Sequence, residues 1–228
     1  MVRLDCSEYQ SPASIGQLIG ESHDERGGFL TEAIRQKPYT LLLLDEVEKA
    51  HPSILTLFLQ VLDEGHLTDG MGRTIDFSHV IVIATSNAAA PFIQESVRTG
   101  LSSEAMKRAL MERELRAVFR PEFLNRFDRI EVFHPLSLDT MTRIAWILLH
   151  EEEKRLLEQG IHFSAEDSAV EQLAKEGYDP EFGARPLRRL IQDRVQTALA
   201  DLLLKKAVTR GGSVVLRENG QVEVVATG

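Results

Sequence analysis

Two adjacent carboxylates, Asp45 and Glu46, follow directly after the leucine-rich run Tyr39 to Leu44. An apolar run without polar alternation predicts a strand buried on both faces, as in a parallel sheet covered by helices. The end of such a strand reaches the carboxyl edge of the sheet, where open α/β folds bind ligands. Asp45 could there meet Mg²⁺ directly or through water, and Glu46 could orient a water for attack on a phosphate. This is the Walker B arrangement. The alternative is that both acids cap the next helix near its positive end.

A second apolar run ends in polar side chains that could join the same site. The run Val80 to Thr85 leads into Ser86 and Asn87. A neutral amide at the carboxyl edge could hold an attacking water or a γ-phosphate without adding charge. The alternative is an Asx-turn at the strand end, which this segment by itself would favour.

The composition predicts a soluble, globular protein that binds neither nucleic acid nor membranes. The 228 residues are 43% hydrophobic and carry a formal net charge of −9, which disfavours phosphate-backbone binding despite the cluster Arg185, Arg188 and Arg189. We find no membrane-spanning run, no signal peptide and no metal-binding histidine spacing. The single cysteine, Cys6, forms no internal disulfide, fits a cytoplasmic location and is interpreted as a buried filler.

The remaining pattern divides the chain at about residue 135. In the α/β part, residues 1–135, further strands are predicted at Met1 to Leu4 and Arg129 to Phe133, with a hairpin-like excursion over Asp63 to Phe77. Pro52 to Leu62 carries its apolar residues on one helical face. Ser103 is predicted to cap a later helix.

The second part, residues 136–228, is predicted to be smaller and mainly helical. A long helix should run from about Asp139 to Gln159 and end at Gly160. Ser164 with Asp167 is interpreted as a capping box for the next helix, and Pro186 suits a first helical turn. A hairpin is predicted from two runs, Ser213 to Leu216 and Val222 to Val225.

Several segments, in order and with similar spacing, resemble the second ATPase module of Clp-type AAA+ unfoldases, such as ClpB, ClpA and ClpC. These segments are LLLLDEVEKAHPSILTLFLQVLDEGHLTDGMGRTIDF, TSN, FRPEFLNRFD, VFHPL and YDPEFGARPLRRLI. The resemblance covers nearly the whole chain. It implies an AAA+ parallel-sheet core over residues 1–135, followed by a small α+β lid domain over residues 136–228.

The resemblance also implies ATP and Mg²⁺ as cofactors and a role for each site residue. Asp45 resembles the Walker B magnesium ligand, Glu46 the catalytic glutamate and Asn87 sensor 1. Arg126 resembles the arginine finger, which neutralises transition-state charge in a neighbouring subunit, and Arg185 resembles sensor 2 of the lid.

Without the resemblance, the sequence around both arginines favours a structural role for each of them. Arg126 could form an ion pair with Asp128 or Glu122, and Arg185 could be a solvated helix start.

The implied partners are other AAA+ subunits in a homohexamer and unfolded or aggregated protein substrates. Because no Ile-Gly-Phe or Ile-Gly-Leu tripeptide lies between Asn87 and Arg126, a ClpP-type peptidase is not expected as a partner. A nucleic-acid AAA+ motor is a further interpretation, which the net acidity and the GAR-type lid disfavour.

Two departures from the family pattern qualify the resemblance. The sequence contains no Gly-x-x-x-x-Gly-Lys-Ser/Thr phosphate loop, which in the family precedes the segment matching MVRLDCSEY. The aromatic residue of the family's pore loop is also missing from LIGESHDERGGFL. In this segment His23 to Arg26 could line a pore, but a surface turn is the favoured interpretation.

The missing phosphate loop leads to two expectations. The chain should be a fragment of a longer protein or a degenerate module, inactive as an ATPase alone. The isolated chain should be poorly stable, or its sheet should have a gap between Val80–Ser86 and Arg129–Phe133, where the family's phosphate-loop strand lies. Two hypotheses remain: an ATPase module, or a non-catalytic assembly module that supplies Arg126 and a lid surface to its neighbours.

Overall fold

The computed structural model describes residues 1–21, 27–180 and 182–225. The loop His23 to Arg26, predicted as a surface turn, lies outside the described residues. The chain forms two compact units, Met1–Phe133 and His134–Gly228, each with its own hydrophobic core.

The first unit is built on a parallel sheet with the strand order β1-β2-β5. Its strands are β1 (Val2–Asp5), β2 (Thr40–Asp45), β3 (His66–Thr68), β4 (Thr74–Asp76) and β5 (Val80–Ala84). In register, Asp5 lies opposite Asp45 and Leu44 opposite Ala84, so the carboxyl ends of the three strands are aligned. The parallel pairing predicted from the apolar runs is confirmed.

Helices cover the face of this sheet on which Leu42 and Leu44 are buried. They are α1 (Ser14–Ile19), α2 (Phe29–Gln36), α3 (Pro52–Glu64), α4 (Ala90–Arg98), α5 (Ser103–Ala109) and α6 (Pro121–Leu124). In α3 the side chains of Ile54 and Phe58 are fully buried, as the apolar periodicity predicts. The helix ends where Gly65 adopts a left-handed conformation with φ 66°, which a glycine accommodates without strain.

Two predictions of local structure in this unit were wrong. Arg129 to Phe133 forms no strand: Ile130 and Val132 pack against the core, but no strand of the described residues pairs with this segment, and Phe133 is 89% exposed. The cap of α5 is Ser102, whose hydroxyl accepts the Ala105 N–H, rather than Ser103.

Within the described residues β5 is an edge strand of the sheet. Its Ile81 and Ile83 are 66% and 44% exposed, which is unusual for isoleucines in the middle of an apolar strand. Because residues two apart lie on the same face of a strand, this face of the sheet is open at β5, and the prediction of burial on both faces was wrong. The unpaired outer edge of β5 fits the expected gap beside Val80–Ser86, and such an edge can pair with another strand.

The second unit combines helices with a mixed sheet of order β6-β7-β8. Its helices are α7 (Leu138–Glu158), α8 (Asp167–Glu176), α9 (Arg185–Ile191) and α10 (Thr197–Leu204), and its strands are β6 (His162–Ala165), β7 (Ser213–Leu216) and β8 (Val222–Val225). The predicted hairpin is confirmed as the antiparallel pair β7 and β8. The long helix and the placement of Pro186 in the first turn of α9 are also confirmed.

The predicted capping box at Ser164 was wrong. Ser164 lies inside β6, which pairs in parallel with β7, and α8 begins only at Asp167. The residue before α8 is Glu166, whose carboxylate accepts hydrogen bonds from Arg217 and from the Glu218 backbone N–H instead of capping the helix. Pairing of Ser164 with Val215, 51 positions further along the chain, therefore overrides the local capping pattern.

The hairpin of β3 and β4 turns around a buried carboxylate, Asp69. Its Oδ1 accepts the backbone N–H groups of Met71 and Arg73 at 3.0 and 2.8 Å, and its Oδ2 accepts Arg73 Nε at 2.7 Å. Burial opposes ionisation of Asp69, but these hydrogen bonds outweigh it and lower the pKa of the carboxyl.

We predict that Asp69→Asn lowers the free energy of unfolding by about 1–3 kcal/mol at pH 7, because a charged hydrogen-bond acceptor is lost from a buried turn. Since the folded pKa is below the ordinary value of 3.8, the advantage of the wild type is complete above that pH and is lost as the pH falls through the folded pKa. Urea unfolding from pH 7 to pH 3 measures both. The control is Asp139→Asn, because Asp139 forms an exposed ion pair with Arg143. Equal effects of the two substitutions would contradict the prediction.

Candidate functional site

The carboxyl edge of the sheet brings together the side chains that follow β2 and β5. Asp45, the last residue of β2, is 26% exposed at its side chain. Its Oδ2 accepts a hydrogen bond from the Arg3 guanidinium on β1, and its Oδ1 accepts one from the Thr85 hydroxyl. The carboxylate is therefore held in one orientation by groups on both neighbouring strands.

Glu46 adopts a left-handed backbone conformation, with φ 52° and ψ 49°. Among the described non-glycine residues only Lys206 shares a positive φ. This conformation costs a non-glycine residue about 1–2 kcal/mol, and such strain persists where the surrounding structure enforces it, often at functional sites. Here the Glu46 N–H donates to Thr85 Oγ1 at 3.3 Å.

The two acids do not cap the following helix. The short 3₁₀ turn Val47–Lys49 receives no side-chain cap from Glu46, and α3 is capped by His51, whose Nδ1 accepts the Ser53 N–H. The structure therefore contradicts the alternative that placed Asp45 and Glu46 at a helix N-terminus. It leaves both carboxylates at the sheet edge.

Asn87 lies at the same edge, two residues after Thr85. Its backbone N–H donates to Glu48 Oε1 at 3.1 Å. The turn after β5 is closed by Ser86, whose Oγ accepts the Ala88 N–H, rather than by an Asx-turn of Asn87. The exposed Asn87 amide thus belongs to a turn fixed by other groups.

Two residues at this edge were missed by the sequence analysis, Thr85 and Glu48. Thr85 contacts Asp45, Glu46 and Val47, and Glu48 joins the turn after β2 to the turn after β5. The Oε2 atom of Glu48 is buried and has no hydrogen-bond partner, the one such side-chain atom in the described ranges. The sequence shows a polar run after each apolar strand, but it does not show which of these side chains contact each other.

Cys6 lies beneath this edge and is 1% exposed. Burial, together with the nearby carboxylates of Asp5, Asp45 and Glu48, raises the pKa of its thiol to about 12. The thiol therefore stays protonated and unreactive, which confirms its interpretation as a buried filler. The same carboxylates give the edge a negative local potential.

Arg126 is paired with a carboxylate of α3. It follows α6 and forms an ion pair with Asp63 in the last turn of α3, not with Asp128 or Glu122. A helical rise of 1.5 Å per residue places Asp63 roughly 16 Å along the axis from Pro52. The guanidinium is 48% exposed and so is available to a neighbouring molecule.

Arg185 begins α9 in the second unit, where its backbone N–H donates to the Phe182 carbonyl. Its side chain is exposed. This environment is that of a solvated helix start, so the structure of the unit by itself assigns Arg185 no contact with a ligand.

The described residues include no group of three or more His, Cys, Asp or Glu side chains arranged to hold a metal ion. Asp45 offers one carboxylate, which suits Mg²⁺ because this ion keeps several waters and takes its other oxygens from phosphates. A search of the same residues for a membrane-spanning helix found no helix that is sufficiently long and apolar.

Comparison with known proteins places both units in one family. The family model for the AAA domain (Cdc48 subfamily) matches residues 1–130, and that for the C-terminal, D2-small domain of ClpB protein matches residues 136–216. The chaperone protein ClpB of Rhodopirellula baltica is 44% identical over 224 residues, covering 96% of this chain and 25% of that protein. The ClpC ATP-binding subunit of an ATP-dependent Clp protease from Staphylococcus saprophyticus is 42% identical over 233 residues, covering 97% and 28%.

A solved structure is also similar over nearly the whole chain. The closed state of Hsp104 with ATPγS and FITC casein aligns with a TM-score of 0.83 and 40% identity, covering 98% of this chain and 39% of that one. The chain thus spans about a quarter of the length of the curated relatives it matches.

We predict that Cys6 alkylation by iodoacetamide at pH 8 is about a thousandfold slower in the native chain than in urea, because a thiol with a pKa near 12 supplies that much less thiolate than one near 9. Mass spectrometry of quenched samples gives the rates. A double variant, Cys6→Ser with Ser103→Cys, moves the only thiol to an exposed position and should react in the native state at the rate of a free thiol. Equal rates for the native and unfolded wild type would show that Cys6 is not buried as described.

Proposed function

The chain belongs to the Clp-type AAA+ family, and on that premise we propose that it forms part of the second ATPase module of a hexameric protein-remodelling chaperone. The observation that carries the proposal is the convergence of Asp45, Glu46 and Asn87 at the carboxyl edge of adjacent parallel strands. Membership of the AAA+ family implies nucleotide binding. The finer assignment, to ATP with Mg²⁺, is part of the proposal.

Each residue at the edge has a distinct proposed role. Asp45 would hold Mg²⁺, directly or through a water, since its carboxylate is oriented by Arg3 and Thr85 and remains partly exposed. Bound Mg²⁺ would neutralise charge on the nucleotide phosphates. Glu46 would orient and deprotonate the attacking water, and the uncharged Asn87 amide would hold that water or a γ-phosphate.

The two arginines are proposed to act at other contacts of the nucleotide. Arg126 would serve as an arginine finger for a neighbouring subunit, which fits the 48% exposure of its side chain. Arg185 would be sensor 2, on a lid formed by the second unit. For these roles Arg126 would need a neighbouring subunit, and Arg185 would need a bound nucleotide.

The proposed substrates are unfolded or aggregated proteins, and the proposed assembly is a cytoplasmic homohexamer without a ClpP-type peptidase. The names of the ClpB relatives and the FITC casein in the Hsp104 structure support a protein substrate. The segment between Gly20 and Gly28 lacks the pore-loop aromatic of the family, so threading by this module would rely on other side chains.

A second candidate function is a non-catalytic assembly module. It is favoured by the absence of a Gly-x-x-x-x-Gly-Lys-Ser/Thr motif from the sequence and by the display of Arg126 on the surface. Such a module would supply the arginine to neighbours without hydrolysing nucleotide itself.

We predict that the 228-residue chain alone neither hydrolyses ATP nor binds a fluorescent ATP analogue saturably with Mg²⁺, because its sequence offers no phosphate-binding loop. Fluorescence anisotropy measures the binding, and the full-length polypeptide that carries this chain is the positive control. Saturable binding that is lost in both Asp45→Ala and Arg185→Ala would overturn this prediction.

We predict that Glu46→Gln in the full-length polypeptide lowers kcat for ATP hydrolysis by this module about 10²- to 10⁴-fold, the usual contribution of a general base. Nucleotide affinity should be retained, because the substitution changes a proton acceptor and not a phosphate contact. The matched control is Glu151→Gln, an exposed glutamate of α7. An unchanged kcat would favour the assembly module.

A further inference from the structure

One residue, Thr85, joins the turn after β5 to three successive residues of the turn after β2. Its hydroxyl donates to Asp45 Oδ1 and accepts the Glu46 N–H at 3.3 Å. Its carbonyl accepts the Val47 N–H at 3.0 Å, while its own N–H donates to the Leu44 carbonyl at 2.8 Å. The backbone contacts with Leu44 and Val47 are open to any residue, but the other two require a hydroxyl.

The hydroxyl is used as both donor and acceptor, which few small side chains allow. Valine has the same shape and β-branching but offers neither function. Serine keeps both functions and loses only a methyl group. Thr85 is therefore a position where the role of the hydroxyl can be separated from the role of the shape.

Glu48 provides a second connection between the same two turns. Its Oε1 accepts the Asn87 N–H at 3.1 Å, while its Oε2 is buried without a partner among the described residues. Burying an unpaired carboxylate oxygen is unfavourable, and packing an apolar side chain there would avoid that penalty. The Glu48 carboxylate is buried at this cost while it holds the Asn87 N–H.

The strained backbone of Glu46 shows why these connections matter. A left-handed non-glycine residue persists only where the surroundings enforce it. The hydroxyl of Thr85 receives the Glu46 N–H and at the same time holds the neighbouring carboxylate of Asp45. One side chain therefore contacts both the carboxylate of Asp45 and the strained backbone of Glu46.

We propose that Thr85 is a positioning residue for Asp45 and Glu46, and that Glu48 couples the same turn to Asn87, so that the three groups move as one unit. The inference rests on the proposed ATPase function and deepens it. A merely structural hydroxyl at a strand end would affect stability, but it would leave the magnesium requirement and the division between kcat and KM unchanged.

The first test compares Thr85→Val with Thr85→Ser in the full-length polypeptide, with ATPase rates measured over a range of Mg²⁺ and ATP concentrations. We expect Thr85→Val to lower kcat and raise the half-saturating Mg²⁺ concentration about 10- to 100-fold, as for other groups that orient a metal ligand. Thr85→Ser should retain most of the wild-type behaviour. The control is Thr142→Val, which removes a hydroxyl that bonds only to the Leu138 carbonyl of its own helix.

The second test is independent of hydrolysis. Amide hydrogen exchange of the 228-residue chain, resolved by residue with NMR, should accelerate at Glu46 in Thr85→Val and at Asn87 in Glu48→Leu. Thr85→Ser and Glu48→Gln, which keep the acceptor atoms, should leave these amides protected. Exchange elsewhere in the chain reports whether a variant has lost its fold.

The inference is overturned if Thr85→Val keeps the wild-type kcat and magnesium requirement, or if Thr85→Ser is as impaired as Thr85→Val. It is also overturned if exchange at Glu46 and Asn87 does not change, or changes only together with every other amide. If Glu46→Gln hydrolyses ATP normally in the same assay, the proposed function fails, and the exchange measurement alone then decides whether Thr85 and Glu48 hold the two turns together.

Discussion

The parallel pairing of β2 with β5 is the constraint on which the carboxyl edge depends. Leu44 lies opposite Ala84, so Asp45 and Thr85 leave the sheet side by side. Leu42 and Leu44 are fully buried, and burial of a leucine contributes roughly 1.5–3 kcal/mol. A register shift of one residue would turn these leucines to the opposite face, so the core that stabilises the sheet also fixes the geometry of the polar edge.

Few charged groups determine the electrostatic potential at the carboxyl edge. Burial raises the pKa of the Cys6 thiol most, and the negative charges of Asp5, Asp45 and Glu48 raise it further. The guanidinium of Arg3 offsets part of this charge at Asp45. A negative, partly exposed and oriented carboxylate is suited to a hard cation that arrives with phosphate ligands.

Several groups of this chain are unusually exposed. Ile81 and Ile83 leave one face of β5 open, and Phe133 at the end of the first unit is almost fully exposed. Arg126 is paired with Asp63 and is still 48% exposed at its side chain. Exposed apolar residues and a displayed arginine are the informative departures from an ordinary protein surface.

Local patterns were sufficient where local physics decides. The sequence by itself determined β2, β5, the hairpin of β7 and β8, the apolar face of α3 and the extent of α7, because burial periodicity and turn chemistry act over a few residues. It also determined the family, through the order of its motifs. Only the tertiary structure decided that Arg129 to Phe133 lacks a neighbouring strand and that Ser164 belongs to β6. Only the tertiary structure likewise decided that Thr85 and Glu48 bind residues about 40 positions away. A hydrogen bond between residues so far apart depends on how the strands are placed in space, and no local pattern encodes that placement.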